Sequence, residues 1–76
     1  MEAFVLVRAV GDHRALMRTL ARNKRISRIY NIAGDNDILV EVNSKNIEEL
    51  KDILNGIRSR ESVLNTTSYI ALLRFK

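Results

Sequence analysis

The chain opens with an unbroken apolar run, Ala3-Phe4-Val5-Leu6-Val7. A run of this kind, rich in β-branched and aromatic residues, predicts a strand covered on both faces. Gly11-Asp12 interrupts it, and Asp12 is a residue type that caps a helix by accepting a backbone N–H. Over residues 13–23, Leu16 and Leu20, with Ala15 or Met17, recur at helical spacing while Arg14, Arg18 and Arg22 take the opposite side. Residues 25–33, RISRIYNIA, alternate irregularly and carry three isoleucines and a tyrosine, which predicts a strand at a sheet edge.

Gly34-Asp35-Asn36-Asp37 is the strongest turn signal in the chain. It separates the edge strand from ILVEV at 38–42, a second apolar strand, so the two form a hairpin. Asn46 and Glu49 stand three apart, as the ends of a capping box do. Behind them Ile47, Leu50, Ile53, Leu54 and Ile57 make a helical stripe, with Glu48, Glu49, Lys51 and Asp52 on the wet side. Gly56 is expected to help end this helix. Residues 62–75, with Leu64, Ile70, Leu72, Leu73 and Phe75, read as the last strand.

The order is β-α-β-β-α-β. With right-handed crossovers it predicts an α+β, ferredoxin-like sandwich, a four-stranded antiparallel sheet with two helices on one face. The first and third strands are expected in its centre, and they are the two most apolar. The first strand presents apolar side chains to both faces, and two helices cover only one. The uncovered face is therefore expected to be an apolar patch closed by a second copy of the chain.

Composition narrows the picture. Seventy-six residues make one domain, 1–76, near the low end of what folds alone. Leu, Ile, Val and Phe account for 25 of them, well above the disordered regime. There is no cysteine and His13 is the single histidine, so neither disulfides nor a metal site is expected, and no cofactor. No run approaches the ~18 apolar residues of a membrane span. The start, Met1-Glu2-Ala3-Phe4, lacks a basic leader, and a cytoplasmic protein without a membrane partner is expected. Asp12-His13 is no acid–base relay without a nucleophile motif. Asp35 and Asp37 fall short of the roughly six oxygens a hard cation takes. No enzyme is expected.

The formal net charge is +4 and the positive residues cluster early. Residues 8–28 hold seven bases against Asp12 alone, and residues 35–61 hold seven acids and four bases. The stripe Arg14, Arg18 and Arg22 suits phosphates, which makes a small nucleic-acid-binding domain using its basic first helix the alternative reading. Against it, ILVEV offers no aromatic for base stacking and the first strand offers only Phe4.

The turn and the last strand carry a different chemistry. Gly34 permits a positive φ and opens backbone amides to a docking group. Thr66 and Ser68, two apart, share one sheet face. A carboxylate, hydroxyls and open backbone suit a free amino acid, whose ammonium needs an acid and whose carboxylate needs donors.

Three stretches, AFVLVRAVGDHRAL, NIAGDNDILVEV and SVLNTTSYIALL, in order from Ala3 to about Arg74, resemble a family. It is the Lrp/AsnC family of transcription regulators, and the likeness is to its effector-binding (RAM) domain. Gly34 and Asp37 match the family's Gly-x-x-Asp hairpin, and Thr66 and Ser68 match its Thr-x-Thr/Ser strand. The resemblance implies a transcription-regulation module that binds a free amino-acid effector. It implies a homo-oligomer, a dimer made by stacking two sheets that assembles further, often into an octamer. It places the effector between dimers, near the hairpin loop and the last strand, with Ile32, Gly34, Asp35, Asn36, Asp37, Thr66 and Ser68 as ligand-binding residues. Ile32 and Leu39 flank that loop as apolar lining. Family members usually carry an N-terminal helix-turn-helix domain, and this chain starts at the sensor. It resembles the stand-alone form, whose implied partners are its own copies and full-length Lrp/AsnC regulators, with no direct DNA contact.

Overall fold

A computed structural model describes residues 1–76. Its elements are β1 (Glu2–Ala9), α1 (His13–Leu20), β2 (Ile26–Asn31), β3 (Ile38–Asn43), α2 (Ile47–Arg58) and β4 (Val63–Ile70). The strands form one sheet in the order β2-β3-β1-β4, every neighbouring pair antiparallel. This is the expected ferredoxin-like βαββαβ sandwich, with the two most apolar strands in the centre.

The period of two along β1 decides what each face becomes. Ala3, Val5, Val7 and Ala9 point to one side and are buried, and their β3 partners Val42, Val40 and Ile38 lie beside them. Leu16 and Leu20 of α1 and Leu50, Ile53 and Ile57 of α2 cover this face and complete the core. The other phase of β1, Phe4 and Leu6, is half-buried on the face no helix covers. Two rows cross that open face. Leu6 lies between Leu39 and Thr67, with Tyr30 beyond, and Phe4 lies between Glu41 and Tyr69, with Arg28 beyond. The apolar two-sidedness of β1 is thus real: four residues go to the helices, and Phe4 and Leu6 face outward.

Both predicted helix starts are capped. The Asp12 carboxylate accepts the Ala15 N–H at 3.0 Å, and Asn46 Oδ1 accepts the Glu49 N–H at 2.9 Å. The return bond of the second cap goes one residue further out than the standard box: Glu49 Oε1 accepts the Lys45 N–H at 2.7 Å. The same oxygen meets Arg25 Nε at 3.1 Å, which ties the start of α2 to the approach to β2.

Four boundaries differ from the sequence reading, each for a local reason. Helix α1 stops at Leu20 rather than 23, because the chain turns through Arg22 N–H to Thr19 O and Asn23 N–H to Leu20 O. The irregular alternation of 25–33 reflects a register shift between Ile26 and Arg28, and the strand is shorter, 26–31. Gly56 does not end α2: it lies inside the helix, which closes two residues later with the Ser59 N–H on Asn55 O and Ile57 O. The last strand ends at Ile70 rather than 75. The Ala71 N–H still donates to Glu2 O at 2.9 Å, but beyond Glu2 β1 has no residues left to pair with. No helix is long and apolar enough to cross a membrane.

Two outcomes test this packing. Leu50→Ala empties a fully buried site and is expected to cost about 2–5 kcal/mol, whereas Asp12→Ala loses one exposed cap at about 1 kcal/mol, both read from urea unfolding. The Lys45 N–H, helped by the charges of Arg25 and Lys45 and opposed by desolvation, holds the Glu49 carboxyl below its usual 4.5. A lowered folded value means that its contribution is present above about pH 4.5 and is lost as pH falls through that lowered value. Glu49→Gln should therefore flatten part of the acid limb of the stability curve measured across that range.

Candidate functional site

The β2–β3 connection, residues 32–37, is held by one residue more than any other. Asp37 donates its N–H to Val7 O at 2.9 Å, and its Oδ2 accepts the Ala9 N–H at 2.9 Å. Its carbonyl accepts both the Ile32 N–H and Asn31 Nδ2, each at 2.8 Å. The hairpin tip is thereby stitched to the end of β1, past the last regular pair of β1 and β3. Gly34 takes φ +134°, a backbone region that residues with a Cβ rarely adopt, although open space surrounds it. The turn thus depends on glycine for its backbone angle, not for room.

Between this tip and the far side of β1 lies a hollow of about 460 Å³, lined by Arg8, Gly34, Asp35, Asn36, Asn65 and Thr67. No apolar residue lines it. Arg8 follows Leu6 in the outward phase of β1, and Asn65 and Thr67 pair with Arg8 and Leu6 on β4. The hollow therefore continues the open face of the sheet at its hairpin end. It brings together a guanidinium, a carboxylate, two amides and a hydroxyl. Arg8 can grip a carboxylate through two parallel N–H bonds, and Asp35 can accept an ammonium. This pairing of opposite charges is the complement of a zwitterion.

The sequence-predicted residues divide into three groups. Gly34, Asp35 and Asn36 line the hollow. Asp37 borders it, with one carboxylate oxygen committed to Ala9 N–H, and Ile32 is half-buried under the loop with its N–H on Asp37 O. Thr66 and Ser68 do share one face, but it is the helix side, because they pair with Val7 and Val5 of the buried phase. The hollow takes Asn65 and Thr67 from the same strand instead. Leu39 likewise lies in the Leu6 row of the open face rather than in the hollow. Arg8 escaped the sequence reading. Its signal was the outward phase Phe4, Leu6, Arg8, which becomes meaningful only once the hairpin tip is known to fold against the end of β1.

A second hollow, of about 280 Å³, lies between the helices over Leu20, Ile53 and Ile57 and contains none of these residues. Arg14, Arg18 and Arg22 are all exposed on α1 and the turn after it. None of them makes an ion pair, since Arg25–Glu49 is the single one in the chain.

The stitch makes a sharp contrast between two neighbouring acids. Asp37→Ala strands the Ala9 N–H and is expected to cost about 1–3 kcal/mol of stability. Asp35→Ala, which breaks no bond within the chain, should stay within about 0.5 kcal/mol of wild type in the same thermal unfolding assay.

Comparison with known proteins agrees with this architecture. The regulator FL11 of Pyrococcus horikoshii, named an HTH-type transcriptional regulator, is 35% identical over 77 residues, covering 100% of this chain and 51% of its own length. The chain thus spans about half the length of that relative. Among solved structures, TTHA0845 of Thermus thermophilus superposes with a TM-score of 0.89 at 32% identity, covering 99% of this chain and 96% of that one. The transcriptional regulator NMB0573 of Neisseria meningitidis, solved as an L-Met complex, shares the fold at a TM-score of 0.84 and 19% identity, over 99% of this chain and 51% of that one. The family model of the Lrp/AsnC ligand binding domain matches residues 2–76, and the chain belongs to that family.

Proposed function

We propose that this domain binds a free amino acid in the hollow at the β2–β3 tip and uses the binding to regulate its own assembly within a transcription-regulating system. The observation that carries the reading is the hollow itself, where Arg8 and Asp35 present opposite charges with Asn36, Asn65 and Thr67 as further polar partners. The effector's carboxylate lies at Arg8 and its ammonium at Asp35, with the free oxygen of Asp37 in second place. The open side of the hollow leaves room for a neighbouring dimer to close it, which is where the family resemblance puts the effector. Supporting the same reading, the NMB0573 structure was solved with an amino acid, L-Met.

The assembly follows from the open face. Phe4, Leu6, Leu39, Tyr30 and Tyr69 lie on it, and a second copy packing sheet to sheet removes them from water at about 1.5–3 kcal/mol for each large side chain. Such dimers then meet at their hairpin ends, toward an octamer, around the effector. The partners are further copies of this chain and longer Lrp/AsnC regulators in the cytoplasm. The nucleic-acid alternative is not favoured: although Phe4, Tyr30 and Tyr69 lie on the open face, its central strand β3 presents Leu39 and Glu41, a leucine and an acid, where base stacking calls for aromatics. Catalysis has no part in the reading.

A thermal-shift screen against the twenty amino acids, paired with light scattering, tests the proposal. At a hundred times its Kd the effector should add about 2.7 kcal/mol of stability and change the assembled mass. Arg8→Gln and Asp35→Asn should each weaken binding by roughly ten- to a hundredfold, the loss of one charge-assisted bond. Absence of any shift with all twenty would sink the sensor reading. Leu6→Asp should yield a folded monomer, whereas Val5→Asp, placed in the core, should not fold. A monomeric mass for the unmodified chain at micromolar concentration would remove the dimer.

A further inference from the structure

The hollow between the helices has a gap in its wall. α1 and α2 make little contact with each other, and Gly56 lines the space between them with Asp52, Ile53, Ile57 and Arg60. Gly56 has no positive φ, and a Cβ there would touch nothing in the chain. A glycine in mid-helix weakens the helix, so neither the backbone nor the packing of this chain accounts for it. The charges around it are evenly placed. Asp52 precedes Gly56 by four residues and Arg60 follows it by four. Helix α2 closes at Arg58, but Ser59 stays in the right-handed helical region at φ −75° and ψ −11°. The Arg60 N–H reaches Ile57 O at 3.2 Å, and Arg60 thus stays beside the same hollow. Asp52, Gly56 and Arg60 are all exposed, and neither charge has an ion-pair partner. Arg25 and Glu49, at the edge of the hollow, already hold each other.

We propose that this side of α2 is a contact between two copies of the chain, in which their α2 helices cross antiparallel at Gly56. A half-turn about an axis through Gly56 exchanges position 52 with position 60. Asp52 of each copy then meets Arg60 of the other, and two ion pairs flank the crossing. The pattern acid, glycine, base is its own complement under that rotation. A partner of another sequence would have to carry it in reverse; a second copy carries it already. Residues four apart form the ridges by which helices most often interlock, and a glycine at the crossing lets the two backbones approach closely. The contact lies on the helix side of the sheet. It therefore rests on neither the stacking of open faces nor the effector reading. A contact of this size is weak, and single chains part at micromolar concentration.

The chain has no native cysteine, so Gly56→Cys places a single thiol at the crossing. Oxidised with diamide, this variant should form its symmetric disulfide about tenfold faster than Lys51→Cys, which is exposed on another face of α2. Each rate is divided by the rate at which the same thiol reacts with a small disulfide, which removes differences in thiol reactivity. Adding Asp52→Arg, or adding Arg60→Asp, sets like charges against each other and should slow the reaction about tenfold. Adding both exchanges the charges and should restore it. Arg60→Asp also lowers the net positive charge, so a general repulsion between chains would make that variant faster, not slower. All substituted positions on α2 and its end are exposed, and unchanged helical circular dichroism checks the fold. The preference should survive Leu6→Asp, which acts on the opposite face. Equal rates for Gly56→Cys and Lys51→Cys, a doubly exchanged variant as slow as the single ones, or loss of the preference with Leu6→Asp would overturn the crossing. The sheet-stacked dimer and the effector site would stand in each case.

Discussion

The rest of this structure depends on the central position of β1, hydrogen-bonded to β3 on one side and β4 on the other. A strand so placed has no freedom of register, because a slip of one residue would exchange Val5 and Val7 for Phe4 and Leu6 in the core. The helix side accepts only the smaller set: Ala3, Val5, Val7 and Ala9 match a thin layer of two helices, one of which has just eight residues. The bulkier Phe4 and Leu6 are thereby forced outward, and Arg8 follows them in phase. Core, open apolar face and polar hollow are three results of one alternation.

The architecture was legible because each element signals locally. Asp12 and Asn46 cap the helices they were expected to cap, and the apolar runs are the central strands. The limits of the elements were less legible, since a neighbour sets them. Nothing in the composition of 71–75 ends a strand; the end of β1 does. Gly56 looked like a terminator, yet the inward stripe of Ile53 and Ile57 keeps the helix going through it. There a glycine costs about 1 kcal/mol relative to alanine, less than burial of one isoleucine contributes.

The candidate site was legible on the hairpin and less so across the sheet. Gly34, Asp35 and Asn36, which turn chemistry singles out locally, do line the hollow. The strand side was not legible, because spacing of two shows that Thr66 and Ser68 share a face without showing which one. That choice is made by pairing with Val7 and Val5 and by the shift between Arg8 and Ala9. Asp37 shows a related limit. Sequence marks it as an acid in a turn, but its carboxylate is already engaged by a backbone N–H 28 residues earlier in the chain.

That engagement has a mechanical consequence. With Val7, Ala9, Ile32 and Asn31 all bonded to Asp37, the tip cannot move relative to β1 as a loose loop does; it moves with the strand or breaks those bonds. In the proposed reading, a ligand held between Asp35 and Arg8 pulls on the same strand whose next outward residues, Leu6 and Phe4, would meet a second copy. Occupancy and association would then be two ends of one lever. Reciprocity requires that whatever factor the effector applies to assembly, assembly applies to the effector's affinity.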